Sequence, residues 1–296
     1  MGGFAMKQER SFWLLGGDLR QAHLAQLLAR DGHTVCTYAL EQGAYAAPDA
    51  QTRSTLAGID RADCVIFPLP VCSAPGILST PLSEQEHPIT PILDFLTPVQ
   101  LICGGRFDQD TLHALSQRGL QSCDYFQREE LIVANAVPTA EGAVQIAMEE
   151  LPITIHNAHV LITGYGRVGR ASAQRFAALG AKVTVAARSC EQLAWVDACG
   201  LNGEHISRLP HILGNYDLII NTIPASILGR NALCSLRPDA LVIDLASKPG
   251  GVDMDAAAQL GRRVIWALSL PGKVAPITAG ACIRDTIYNL LREAGN

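Results

Sequence analysis

Short runs of apolar residues alternate with amphipathic stretches along the first half of the chain. The amphipathic stretches cover 18–31 and 108–118, and the apolar runs are FWLL, TVCTY, CVIF, QLIC and LQSCDYF. Apolar runs of this length are typical of parallel strands buried on both faces, which helices must then cover. The pattern predicts an open sheet, flavodoxin-like or Rossmann-like, in an N-terminal substrate domain over residues 1–136.

The second half repeats the alternation more clearly. Helices are predicted over 167–179, over 190–198 and from about 277, between the runs HVLITGYG, KVTVAARS, DLIINTIP, ALVIDLAS and RVIWAL. Right-handed crossovers would bring the carboxyl ends of these strands to one edge, where open α/β sheets bind ligands. The predicted fold class is therefore α/β, with two Rossmann-like doubly wound parallel-sheet domains, the second over 152–276.

A helix is expected to connect the two domains. The segment ANAVPTAEGAVQIAMEEL predicts a crossover helix over 137–151, in which Pro138 ends an extended segment and Thr139 caps the helix. Glu141 then lies in the first turn. We expect the last helix, 277–296, to return to the first domain.

Composition indicates a folded protein and excludes several classes of partner. The 296 residues are 48% apolar and 17% charged, and the net charge of -5 gives no basic surplus for nucleic acid or anionic lipid. No membrane span and no signal peptide are predicted, so we expect a cytoplasmic protein. The nine cysteines form no C-x-x-C pair, and we expect reduced structural thiols and no metal site.

A glycine-rich motif predicts a dinucleotide site in the second domain. It consists of Gly164, Tyr165, Gly166, Arg167, Val168 and Gly169. It follows a β-rich run and opens a helix, which is the context that makes G-x-G-x-x-G specific. Gly164 would allow the tight turn, Gly166 the approach of a pyrophosphate, and Gly169 close packing of helix and strand.

The end of the next strand favours NADP over NAD. NAD-preferring sites usually carry an acidic residue there to bind the ribose hydroxyls, whereas this chain has Arg188 and Ser189. A guanidinium and a hydroxyl can bind a 2′-phosphate by charge-assisted hydrogen bonds. The alternative for Arg188 is a solvated loop charge.

Two further strand ends carry candidate residues. Asn221, Thr222, Ile223 and Pro224 are expected to meet the nicotinamide-side ribose, unless they form a turn without ligand. The following DLASKPGG places Ala246 at the cofactor and Lys248 near a substrate carboxylate, while Asp244 caps a loop or bonds to backbone.

Together, GYGRVGR, AARS, NTIP, DLASKPGG, LPGKVAPITAG, GGDLRQ and NAVPTAEG resemble the family of dipicolinate synthase A subunits over nearly the whole chain. The serine-lysine form of SKPGG and Lys273 are local variants. The resemblance implies NADP-dependent oxidation of dihydrodipicolinate, made from 4-hydroxy-tetrahydrodipicolinate, to dipicolinate in the mother cell of a spore former. It also implies that the partner is a flavoprotein-like B subunit, and that the architecture is that of two-domain 2-hydroxyacid dehydrogenases.

Such a substrate carries two carboxylates and loses a hydride and a proton. Candidates for binding the carboxylates are Arg20, with Asp18 beside it, Lys248 and Lys273. Arg20 is alternatively an ordinary helix residue and Lys273 a solvated cation. Glu141 is the first candidate for proton acceptor, with Thr139 beside it, although its place near a helix N-terminus needs no catalytic role.

Three functions remain open, of which the resemblance implies the first. The first is the dipicolinate-forming dehydrogenase, which we expect to act as a homo-oligomer. The second is another NADP oxidoreductase, such as a shikimate dehydrogenase-like enzyme, since DLIINTIP also fits that class. The third is a regulatory protein that binds NADP without turning it over.

Overall fold

The computed structural model describes residues 9–42 and 50–295. They form two compact units, one from the described residues of Met1–Ala134 and Ala275–Asn296 and the other from Asn135–Val274. Residues 1–8, which entered the expectation that no signal peptide is present, lie outside the described residues.

The first unit contains a parallel sheet and a small hairpin. Its elements are β1 (Ser11–Leu15), α1 (Leu19–Arg30), β2 (Thr34–Tyr38), β3 (Gln51–Arg53), β4 (Cys64–Ile66), β5 (Cys72–Ala74), β6 (Ile77–Leu78), α2 (Ile89–Leu93), β7 (Leu101–Gly104), α3 (Gln109–Gln117) and β8 (Ser122–Asp124). The sheet has the order β3-β2-β1-β4-β7-β8, and β5 pairs with β6 in antiparallel fashion. Counted along the chain, this is the Rossmann order 3-2-1-4-5-6. The flavodoxin-like alternative is therefore wrong.

Both faces of this sheet are buried, as the unbroken apolar runs predict. Phe12 and Leu14 of β1 belong to one hydrophobic cluster, and Trp13 and Leu15 belong to another. Successive side chains of a strand point to opposite faces, so one apolar run supplies both clusters.

One long helix, α4 (Glu129–Glu150), links the first unit to the second. The helix begins eight residues before the predicted crossover helix. Pro138 lies inside it and does not end an extended segment. Thr139 does not cap the helix, because its hydroxyl donates to the carbonyl of Asn135 one turn earlier. By length and hydropathy α4 could span a membrane, but Ala143 and Ala147 are fully buried in the second unit, as in a core helix.

The second unit has the same strand order as the first. Its elements are β9 (His159–Thr163), α5 (Arg167–Ala178), β10 (Lys182–Ala187), α6 (Cys190–Ala198), β11 (Asn202–His205), α7 (Leu209–Ile212), β12 (Leu218–Asn221), α8 (Arg230–Cys234), β13 (Leu241–Asp244), α9 (Met254–Gln259), β14 (Arg263–Trp266) and α10 (Leu270–Val274). The parallel sheet runs β11-β10-β9-β12-β13-β14. The order reverses between β9 and β12, and this switch point is where doubly wound sheets bind ligands.

The last helix, α11 (Pro276–Glu293), packs on α1 in the first unit. Gly280 makes the close approach possible, because a Cβ there would lie 2.9 Å from the carbonyl oxygen of Arg20. Ile283 and Ile287 are buried in the same cluster as Phe12. The chain therefore returns to the first unit after completing the second.

Candidate functional site

The loop after β9 has the geometry of a dinucleotide-binding turn. Gly164 has a φ of +91°, and its N–H donates to the carbonyl of Ala186 at 2.8 Å. A Cβ at Gly164 would lie 2.5 Å from the hydroxyl oxygen of Thr222. Backbone conformation and space both restrict this position to glycine.

The two other glycines of the motif differ in what surrounds them. A Cβ at Gly169 would lie 2.2 Å from the carbonyl oxygen of Gly164, so this glycine lets α5 pack against the end of β9. A Cβ at Gly166 would meet no heavy atom within 4 Å. Open space at the N-terminus of the twelve-residue helix α5 fits a pyrophosphate, which the N–H groups and the helix dipole attract.

The side chains between the glycines have different surroundings. Tyr165 is 3% exposed, and the guanidinium of Arg170 lies 5.2 Å from its ring centre. Burial and contact with Cys199 raise the pKa of Tyr165 to about 12, so the phenol is neutral near pH 7. Val168 packs against the small cluster of Ala136, Ala140 and Ala171, while Arg167 is exposed. Tyr165 can therefore offer a cofactor little more than its backbone, whereas Val168 is only partly buried.

A cavity of about 540 Å³ opens beside the carboxyl end of β10. It is lined by one cation, one hydroxyl and apolar side chains, namely Arg188, Ser207, Ile206, Leu209, Pro210, Ile223, Pro224, Ala225, Ile227 and Ala232. Arg188 and Ser189 are exposed, and the Ser189 hydroxyl oxygen caps α6 by accepting from the N–H of Gln192 at 3.1 Å. An apolar cavity with a cation at its edge suits an adenosine that carries a phosphate.

A buried polar network joins the carboxyl ends of β9, β12 and β13. Asn221 is fully buried; its Oδ1 accepts from the hydroxyl of Thr163 at 2.7 Å, and its Nδ2 donates to Asp244 at 2.7 Å. Asp244, 1% exposed, also accepts from the N–H groups of Ala246 and Gly251. These bonds hold the three strand ends and the SKPGG turn in one arrangement.

This network gives Asn221 and its neighbours a structural role besides the predicted one. The buried Asn221 side chain holds the loop from inside, because it bonds to Asp244 and to the N–H of Ile223. The Thr222 hydroxyl donates to the carbonyl of Thr163, and Ala246 is buried. Ile223 and Pro224 line the cavity that Arg188 also lines. Contact of this loop with a ribose stays a prediction. Sequence reasoning missed Thr163, which only its place at the end of β9 could have indicated.

The two lysines proposed for substrate binding both belong to the second unit, where Lys248 is exposed and Lys273 lies on α10. Lys248 lies in the turn after β13, which the bond from the Gly250 N–H to the Ser247 carbonyl closes. Lys273 is exposed on this helix, which also fits the alternative of a solvated cation. A contact of either lysine with a substrate stays a prediction.

In the first unit, Asp18 and Arg20 bind each other. Nε and Nη2 of Arg20 donate to the Asp18 carboxylate at 2.8–3.1 Å, and Nη2 also donates to the carbonyl of Leu69 at 2.6 Å. This edge of the guanidinium is therefore not available to a substrate carboxylate. A role of the pair in substrate binding stays a prediction.

Glu141 and Thr139 occupy different surroundings from those predicted. Glu141 lies in the middle of α4 and not in a first turn, so a helix N-terminus does not explain its position. Its carboxylate, 57% exposed, lies 3.3 Å from Nη2 of Arg175. Proton transfer by Glu141 or Thr139 stays a prediction.

A histidine that sequence reasoning missed lies near the carboxyl end of β2. Nδ1 of His87 is 3.1 Å from the hydroxyl of Tyr38, and Nε2 is 3.1 Å from the hydroxyl of Ser83. Burial, and to a smaller extent Glu41, raises the pKa of Tyr38. His87 is distant in sequence from Tyr38, so no spacing rule could have indicated this contact.

Two protein families match different parts of the chain. Residues 11–126 match the N-terminal domain of the dipicolinate synthase A subunit, and residues 132–259 match the NAD-binding domain of D-isomer specific 2-hydroxyacid dehydrogenases. The second match and the glycine loop agree on a nicotinamide dinucleotide as cofactor. The chain is an NAD(P)-dependent oxidoreductase.

Individual relatives match over nearly their full length. The dipicolinate synthase A subunit of Bacillus subtilis (strain 168) is 32% identical over 95% of both chains. The crystal structure of the A subunit from Bacillus halodurans has a TM-score of 0.88 at 30% identity, covering 95% of this chain and 97% of that one. The crystal structure of the dipicolinate synthase A chain from Bacillus subtilis has a TM-score of 0.87 at 31% identity, covering 98% of both. By sequence and by fold, the chain belongs to the family of dipicolinate synthase A subunits.

Proposed function

We propose that the chain oxidises dihydrodipicolinate to dipicolinate with NADP, as the A subunit of a dipicolinate synthase. The proposed hydride transfer to a dinucleotide rests on the open space at Gly166, at the N-terminus of α5, together with the cavity that Arg188 lines. Relatives that are named dipicolinate synthase support dipicolinate as the product. A flavoprotein-like B subunit is the proposed partner, and the cytoplasm of the mother cell during sporulation is the proposed location.

The preference for NADP rests on the end of β10. A carboxylate there would accept hydrogen bonds from ribose hydroxyls and repel a 2′-phosphate, whereas this strand ends in Ala187 followed by Arg188 and Ser189. Because the Ser189 oxygen accepts from Gln192, its O–H proton can still be donated to a phosphate oxygen. The N-terminus of α6 adds the positive end of a nine-residue helix.

The reaction removes a hydride and a proton from a dihydropyridine ring. When bound, the nicotinamide accepts the hydride, so dihydrodipicolinate and NADP⁺ give dipicolinate, NADPH and H⁺. Aromatisation supplies much of the driving force. The protein must then orient the ring and neutralise two carboxylates, and it needs no activated nucleophile.

Lys248 is the best-placed cation for one of these carboxylates. It follows β13, which pairs with β12 close to the switch point of the sheet, and the buried Asp244 fixes the base of its turn. Lys273 of α10 is the second proposed cation. Arg20 is proposed to hold the loop after β1 through Asp18 and Leu69.

Activity tests this assignment directly. The purified chain receives NADP and freshly generated dihydrodipicolinate, alone and with the B subunit, while NADPH and the ultraviolet absorbance of dipicolinate are followed. Equal amounts of both products are expected. A chain that binds NADPH but forms neither product would instead be a regulatory protein. A chain that reduces NADP with shikimate in place of dihydrodipicolinate would be the shikimate dehydrogenase-like alternative.

Replacing Lys248 should weaken use of the substrate but not of the cofactor. We expect Lys248→Met to lower kcat/KM for dihydrodipicolinate about tenfold, because one exposed charge-assisted contact is lost. Lys182→Met is the matched control, since Lys182 is exposed at the opposite end of the strands, at the start of β10. The role of Lys248 is refuted if both variants retain full kcat/KM, or if NADPH affinity falls as much as kcat/KM.

A further inference from the structure

A histidine at the carboxyl end of β11 joins two loops of the cofactor cavity. Nε2 of His205 lies 3.1 Å from the carbonyl oxygen of Arg188, and Nδ1 lies 2.7 Å from the hydroxyl of Ser207. Arg188 follows β10, whereas Ser207 lies in the 3-10 turn Ile206–Arg208 after β11, and both line the cavity. His205 therefore connects the two loops that carry the polar groups of this cavity.

The hydrogen bonds select one form of the imidazole. The backbone N–H of Ser207 donates to Nδ1 of His205 at 3.3 Å, so Nδ1 carries no proton. The proton of a neutral ring is then on Nε2, where it is donated to the carbonyl of Arg188. One neutral tautomer can therefore form the hydrogen bonds to both loops.

We propose that His205 is the positioning residue that gives this cavity its preference for a 2′-phosphorylated adenosine. Arg188 has a long, exposed side chain, and binding a phosphate requires its many conformations to collapse into one. Fixing the Arg188 carbonyl orders in advance the backbone from which this side chain extends, so the backbone part of the ordering cost is not paid on binding. The inference rests on the proposed use of NADP.

The neighbouring charges make phosphate binding in this cavity depend on Arg188. Arg208, in the same turn as Ser207, lies 3.2 Å from the carboxylate of Glu204, so these two charges largely compensate each other. Glu191 lies in the first turn of α6 and adds a negative charge near Ser189. The orientation of Arg188 therefore decides how well a 2′-phosphate is bound.

Two substitutions of His205 separate its bond to Arg188 from its bonds to Ser207. The Asn side chain of His205→Asn can still accept from the Ser207 N–H but is too short to reach the Arg188 carbonyl. The Gln side chain of His205→Gln can place an N–H near the position of Nε2. We expect His205→Asn to weaken NADPH binding about tenfold with NADH binding changed less than about twofold, and His205→Gln to restore most of the affinity.

The measurement is a fluorescence titration of the full chain with NADPH and with NADH, without substrate. His211→Asn is the matched control, an exposed histidine on α7 that does not line the cavity, and thermal unfolding monitors folding. If the wild-type chain does not prefer NADPH, the proposed cofactor is wrong. If the wild type prefers NADPH and His205→Asn keeps that preference, or loses both affinities equally, the role of His205 is wrong and the cofactor assignment stands.

Discussion

Gly166→Ala should abolish most dinucleotide binding while leaving the protein folded. The position has an extended backbone with φ of -80°, which alanine adopts, and the added Cβ would meet no protein atom within 4 Å. The same Cβ would occupy the space at the N-terminus of α5 that a pyrophosphate needs. We expect about a hundredfold loss of affinity for both NADPH and NADH by titration, and a loss of at most about 1 kcal/mol in unfolding free energy.

Gly169→Ala is the matched comparison, because it should affect folding first. Its Cβ would lie 2.2 Å from the backbone oxygen of Gly164, so α5 or the end of β9 must shift. Overpacking of this kind costs about 1 to 3 kcal/mol of unfolding free energy, measurable by denaturant titration. Unchanged affinity in Gly166→Ala would show that the nucleotide does not bind at α5.

Arg188→Ala should change which dinucleotide the chain prefers. Loss of the guanidinium removes charge-assisted hydrogen bonds to a 2′-phosphate, worth about 1 to 3 kcal/mol, or roughly 5- to 150-fold in the Kd of NADPH. NADH lacks that phosphate, and its Kd should change little. Calorimetric titration of both nucleotides measures the two values in one buffer.

Arg263→Ala provides the control for this experiment. Arg263 is exposed at the start of β14, at the opposite edge of the sheet, where it pairs with Glu150 at 2.9 Å. Its replacement removes the same charge from the same unit without touching the cavity. Equal losses of NADPH and NADH affinity in Arg188→Ala would contradict the assignment of NADP.

Strands with strong apolar runs could be predicted from the sequence, and those without could not. The runs around β1, β2, β9 and β10 predicted strands close to the observed ones, because burial on both faces demands unbroken apolar residues. The polar sequences of β3 and β11 gave no such signal, since both are sheet-edge strands with largely exposed residues.

Helix α4 shows why local rules can fail at a junction. Pro138 and Thr139 are good markers of a helix start when considered alone. Here the helix already begins at Glu129 and continues through the proline, and Ala143 and Ala147 pack into the second unit. Tertiary packing outweighs the lost backbone hydrogen bond, and the sequence does not reveal this balance.

The candidate site was predictable where backbone geometry needs a particular residue. Glycine at positions 164 and 169 follows from a positive φ and a close backbone contact, respectively. The roles of Asn221 and His205 depend on partners on other strands, Asp244 and Arg188. Such contacts depend on which strands are neighbours in the sheet. The polar residues at the strand ends therefore indicated where the site lies but not what each side chain does there.

We propose above that this chain itself passes a hydride from the substrate ring to NADP. The direct test is a single turnover with dihydrodipicolinate deuterated at the ring carbons, followed by mass spectrometry of the nucleotide. One deuterium in NADPH for each dipicolinate formed is the predicted result. Dipicolinate formed without deuterium in NADPH would show that the electrons leave by another route, and would contradict the account.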